Sequence, residues 1–203
     1  MSVPGSRAGP PVHARLLAAG VVLAAVALGT ARAEALRLES LMARLSAVPS
    51  SEGRFTERRY SSLLDDPIVL EGKYRFESPD YLAKSFADRD IESYEVRGPI
   101  LAVTYPDGRR RELELAEHPA LHAYVEGLRG TLAGDAASLD EHFAVDLEGV
   151  AQAWRLRLRP RLTELAERVG EIVIHGEGDD VVRIDSREPN GDHSEMVLHS
   201  TRE

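Results

Sequence analysis

The chain has 203 residues, with 25 Lys and Arg against 34 Asp and Glu, and no cysteine. A formal charge of −9 argues against nucleic acid as a partner and against attraction to anionic membrane surfaces. Without cysteine there is no disulfide and no attachment point for lipid on an N-terminal cysteine, so an ordinary apolar core must hold the fold.

Residues 1–33 read as a secretory signal peptide. Arg7 and Arg15 precede an apolar run from Leu16 to Leu28, and Ala31-Arg32-Ala33 supplies a small-residue cleavage pattern. The run spans roughly 20 Å as a helix at ~1.5 Å per residue, short of the ~30 Å hydrocarbon core, so it reads as cleaved rather than as an anchor. Cleavage after Ala33 removes three arginines, Arg7, Arg15 and Arg32, and no acid, which takes the charge from −9 to −12. Residues 34–203 are then predicted to form one domain, soluble in the periplasm.

Leu38, Leu41, Met42, Leu45 and Val48 recur at helical spacing ahead of Pro49, which predicts an N-terminal amphipathic helix. The period then changes to two. Strands are predicted at 53–60, 68–77, 80–87, 91–97, 100–105 and 109–115, parted by the turn sequences Asp65-Asp66-Pro67, Ser78-Pro79-Asp80, Arg97-Gly98-Pro99 and Pro106-Asp107-Gly108. Leu121, Tyr124, Val125, Leu128 and Leu132 then share one helical face, and Gly127 and Gly130 weaken that helix. Asp135 is placed to cap a second helix that runs to about His142. Strands resume at 143–149, 153–160, 170–176, 180–187 and 192–199, with a short helical turn at 162–168 and an Asn190-Gly191 hairpin near the end. In Trp154-Arg155-Leu156-Arg157-Leu158-Arg159 the apolar residues point one way and the arginines the other, so one face of the sheet is wet.

The order of these landmarks resembles the LolA-like periplasmic lipoprotein-carrier family. The matching segments are Leu41-x3-Leu45 leading to Phe55-Thr56-Glu57, then Gly72-x-Tyr74-x-Phe76-x-x-Pro79, Ala102-Val103-Thr104-Tyr105-Pro106-Asp107, Trp154 to Pro160, and the closing Asn190-Gly191-Asp192. The resemblance implies a mainly β (α+β) fold: an unclosed antiparallel barrel of about eleven strands, with an N-terminal helix and a helical lid inserted in the middle. It also implies a non-catalytic carrier of lipoprotein acyl chains or another acylated lipid, working as a monomer between an inner-membrane donor transporter and an outer-membrane acceptor, without a cofactor. Two departures stand out. Ser78 occupies the place before Pro79 where the family has an Arg implied in holding the lid, and Tyr81-Leu82-Ala83-Lys84 replaces the family's aromatic pattern.

Candidate wall residues of the cavity are Phe55, Leu70, Tyr74, Phe76, Leu82, Phe86, Val103, Tyr105, Trp154, Leu156 and Leu158, with Leu121, Val125 and Leu128 from the lid. Burying acyl methylenes there is worth about 0.8 kcal/mol each. The same apolar stripe also fits a plain core. His118 and His122 stand four apart as helical zinc ligands do, yet Pro119 lies between them and no metal site is predicted. Neither a G-x-S-x-G elbow nor an oriented carboxylate pair is present, so the chain does not read as an enzyme. Two other readings stay open: an adaptor of the same fold for an envelope lipid exporter or regulator, and a hydrolase without a familiar motif. Arg109-Arg110-Arg111 is either a contact for an anionic group or the solvated start of a strand.

Overall fold

The computed structural model describes residues 36–87 and 93–201. The predicted signal segment, residues 1–33, lies outside the described residues. Helix α1 (Leu38–Ser46) buries Leu41, Met42 and Leu45 on one side. Six strands follow: β1 (Ser50–Tyr60), β2 (Ile68–Glu77), β3 (Tyr81–Phe86), β4 (Ser93–Arg97), β5 (Ile100–Thr104) and β6 (Arg110–Glu114). After a 3-10 turn at Leu115–Glu117 come α2 (Pro119–Ala133) and α3 (Ala136–His142), then β7 (Phe143–Val150), β8 (Ala153–Pro160), α4 (Thr163–Ala166), β9 (Glu171–Glu177), β10 (Asp180–Arg187) and β11 (His193–Ser200).

Neighbouring strands pair antiparallel throughout, in the order β6-β5-β4-β3-β2-β1-β11-β10-β9-β8-β7. The eleven-stranded sheet is not closed into a barrel, because β6 and β7 remain its two edges. The seam at its centre joins β1 to β11, with Phe55 opposite Leu198. These elements match the sequence expectation closely, and the differences have local causes. Helix α2 begins at Pro119, ahead of the apolar face that opens at Leu121, because proline fits a helix's first turn, where no N–H is needed. Strand β1 starts at Ser50 because Ser51 and Glu52 extend its pairing with Phe76 and Arg75. Asp135 caps α3 as predicted, its carboxylate accepting from the backbone N–H of Ala137 and Ser138, each at 3.1 Å.

The sheet curves around α1, α2, α3 and α4. Its inner face joins helical Leu41, Met42, Leu45, Ala123, Leu139 and Leu165 to Phe55, Trp154, Leu156, Leu158, Ile172 and Ile174 in one core. A second, smaller core gathers Val96, Leu101 and Val103 under Leu115 and Val125. On the outer face Arg157 and Arg159 both reach the Glu171 carboxylate, at 3.2 and 3.3 Å, so this side is wet as expected. Gly127 and Gly130 differ from their expected part as weak points of a loose helix. Both are buried. A methyl at Gly127 would meet the Phe143 ring at 2.9 Å, and one at Gly130 would meet Leu139 at 3.1 Å. The glycines let α2 lie against β7 and α3.

Candidate functional site

Strand alternation decides which side chains face the helices. On β1 these are Phe55, Glu57 and Arg59, opposite Gly72, Leu70 and Ile68 of β2; further along β2, Tyr74 stands between Gly53 of β1 and Lys84 of β3, and Gly72 is paired on its other side with Phe86. The predicted wall residues all fall on the inner face or on α2, and the structure sorts them into two groups. Phe55, Leu70, Tyr74, Phe76, Trp154, Leu156 and Leu158 are buried in packed interior, most of them against α1, α2 and α3. Phe86 and Leu128 pack at the margin of that core, Val125 is buried in the smaller one, and Leu82 lies at the smaller one's edge. Val103, a member of the smaller core, and Tyr105 and Leu121, packed against it, also line open space.

That space is a cleft of about 630 Å³ between β5, β6 and the start of α2, with α4 on its far side. Sites for small molecules typically occupy about 300 to 1,000 Å³. Its apolar wall adds Leu113, Pro119 and Ala120 to the three predicted residues, and its rim carries Arg111, His118, Glu164 and Arg168. Of the three consecutive arginines, Arg109 bonds Asp107 and Arg110 bonds Glu95 and Glu112, while Arg111 faces the cleft. His122 lies 3.5 Å from the Glu126 carboxylate, with its ring 5.7 Å from that of His142. Among the described residues no group of three or more His, Asp or Glu is placed to hold a metal.

Two charged clusters were not singled out from the sequence. Glu57, 4% exposed, sits on the inner face and is bonded by the Lys84 ammonium and by Arg59 Nε at 2.7 Å. Lys84 also stands 4.3 Å from the centre of the Phe55 ring and 5.2 Å from that of Phe86. Burial pushes the Glu57 carboxyl up, but Lys84 and Arg59 together outweigh it and hold the group below its ordinary 4.5. Burial lowers the Lys84 ammonium, against the opposing pull of Glu57. Parity was the available signal, since Glu57 follows Phe55 by two and Lys84 stands between Leu82 and Phe86 in the same alternation.

The second cluster is carried by α2. Arg129 pairs with Glu126, whose other oxygen accepts from Ser138 of α3 at 3.1 Å. The same guanidinium donates to the carbonyl of Gly98 at 2.9 Å and of Asp80 at 3.4 Å, in the turns that join β4 to β5 and β2 to β3. One side chain therefore ties the helical insertion to two hairpins. A single sequence had no means of bringing a helix residue to those two turns.

A profile of the family described as outer membrane lipoprotein carrier protein LolA-like matches residues 30–202. The chain belongs to the LolA-like family. LolA-like proteins are associated with lipoprotein binding and sorting, and the open eleven-stranded sheet is the LolA-like fold. Among solved structures, a LolA superfamily protein from Nitrosomonas europaea is 8% identical, with a TM-score of 0.42 over 83% of this chain and 94% of that one. A DUF1329 family protein from Desulfovibrio piger is 12% identical, with a TM-score of 0.45 over 80% of this chain and 88% of that one. No curated protein sequence matches. In this chain Ser78 precedes Pro79, and Arg129 ties α2 to the β2–β3 and β4–β5 turns.

Proposed function

We propose that the protein carries a lipoprotein or another acylated lipid through the periplasm, lodging acyl chain in the cleft between β5–β6 and α2–α4 and handing it from an inner-membrane donor to an outer-membrane acceptor without catalysis. The observation that carries this reading is the cleft: open space of about 630 Å³ whose wall is built from Val103, Tyr105, Leu113 and Leu121. A dozen methylenes leaving water supply roughly 10 kcal/mol before the cost of immobilising the chain. The charged rim suits a lipid whose polar end stays at the surface. In this reading the signal segment is removed after Ala33 and the carrier works as a monomer. Among the described residues no helix is long and apolar enough to cross a membrane.

The packed interior favours a second reading. Seven of the expected wall residues are buried in it, as in an adaptor that binds through its surface. Native mass spectrometry of protein recovered gently after export separates the two. The carrier gives a bound mass that detergent releases and that Leu121→Glu abolishes at unchanged fold, whereas a chain that stays free of added mass on incubation with acylated lipid is an adaptor.

A further inference from the structure

Among the described residues, five large hydrophobic side chains are exposed, and four of them belong to one hairpin. They are Leu63, Leu64, Ile68 and Val69, at the junction of β1 and β2, with Leu63 89% exposed. Random scatter of single apolar residues over a surface is ordinary, but concentration at one tip is not.

The tip is held in shape. Leu64 N–H donates to the Ser61 carbonyl at 3.0 Å, which closes a tight turn with Ser62 and Leu63 at its head. The Asp192 carboxylate, from the neighbouring β10–β11 turn, accepts from the Ser61 hydroxyl at 2.9 Å and the Ser62 N–H at 2.8 Å. A turn pinned from a second hairpin gives up little further freedom when its leucines leave water.

The shape and charge of the tip select its partner. A stable protein interface buries about 1,200 to 2,000 Å², far more than four side chains on a convex hairpin supply. Insertion of a few apolar side chains into a bilayer needs no such area. Asp65 and Asp66 follow the leucines, while Arg58 and Arg59 precede Tyr60 at the end of β1, so the base of the tip has no cationic excess to draw it to anionic lipid. We propose that the β1–β2 tip is a membrane-touching element that inserts Leu63 and Leu64 into the apolar layer of a zwitterionic phospholipid bilayer, reversibly and independently of salt. This surface does not depend on the cleft being a carrier site.

Flotation with phosphatidylcholine vesicles tests it, using protein recovered after export with its N-terminus fixed by intact mass. The native chain is expected to float with vesicles at low and high salt, and Leu63→Asp/Leu64→Asp to lower the partition constant roughly tenfold or more at unchanged thermal melting. Leu63→Trp provides a second readout that does not rely on loss of binding: its indole emission moves to the blue on adding vesicles and is quenched by brominated acyl chains. Equal flotation of native and double-substituted protein overturns the proposal, as does absence of flotation with an unmoved indole spectrum. Binding confined to anionic vesicles and lost in salt overturns it too.

Discussion

Replacing Gly127 by Ala sets two effects against each other whose sizes are known separately. In an exposed helix the change stabilises by up to about 1 kcal/mol, since Ala is the better helix former. Here the new methyl would stand 2.9 Å from two atoms of the Phe143 ring and 3.4 Å from Leu158 Cδ1. Phe143 and Leu158 are both 0% exposed, so the ring has no solvent to move into. Overpacking of that kind costs about 1 to 3 kcal/mol. The cost wins, and Gly127→Ala is expected to destabilise by about 1 to 2 kcal/mol. At Gly130 the new methyl lies 3.1 Å from a terminal atom of Leu139, which can yield a few tenths of an ångström. Gly130→Ala is therefore expected within about 1 kcal/mol of the native chain. Urea unfolding, followed by circular dichroism and by the emission of Trp154, measures both, and Phe143→Leu in the Gly127→Ala background should recover part of the loss. A Gly127→Ala protein as stable as the native one would refute the packing argument and return the glycines to the role of loosening a lid.

Arg129→Met removes the partner of buried Glu126 and the donor to the Gly98 and Asp80 carbonyls, for an expected loss of about 3 to 5 kcal/mol, with faster amide exchange along α2 as the local signature. Adding Glu126→Leu should restore much of that stability; no recovery would mean that the pair is not the source of the loss. Glu57 is held below its ordinary 4.5, so the stability it contributes is fully present above that pH and is lost as pH falls through its lower folded value. Glu57→Gln should lower stability near neutrality and flatten the acid limb of a stability profile taken from about pH 7 to about pH 3; an unchanged limb would show that another carboxylate controls it.

Patterned apolar residues made the fold readable. Period two from Phe55 to Leu113 and from Val145 to Leu198, interrupted by helical period at Leu121 to Leu132, is local information, and turn residues mark its divisions. The same pattern says that Phe76 or Leu156 faces inward but not what stands opposite. Whether an inward side chain meets a helix or open space depends on how deep α1 and α2 sit in the curve of the sheet, which residues far apart in sequence decide. The cleft lies where that filling stops, and Val103, Tyr105 and Leu121 reach it because they lie beside α2's first turn. Glu57 and Lys84 stand in the landmark segments without a role in the sequence reading, because alternation shows that they face inward but not that they meet each other there.

The seam between β1 and β11 has a consequence for how the molecule comes into being. Strand β1 is made before the nine strands that separate it in sequence from its partner at residues 193–200. Until that partner arrives, the chain holds two separate meanders, β1 to β6 and β7 to β10, each with an additional bare edge, and Phe55 on β1 lacks Leu198 opposite it. Closing a loop of such length is slow compared with forming a hairpin, so assembly of the two halves, rather than the formation of either, should set the pace of folding. During that interval the unfinished protein is open to pairing with other chains.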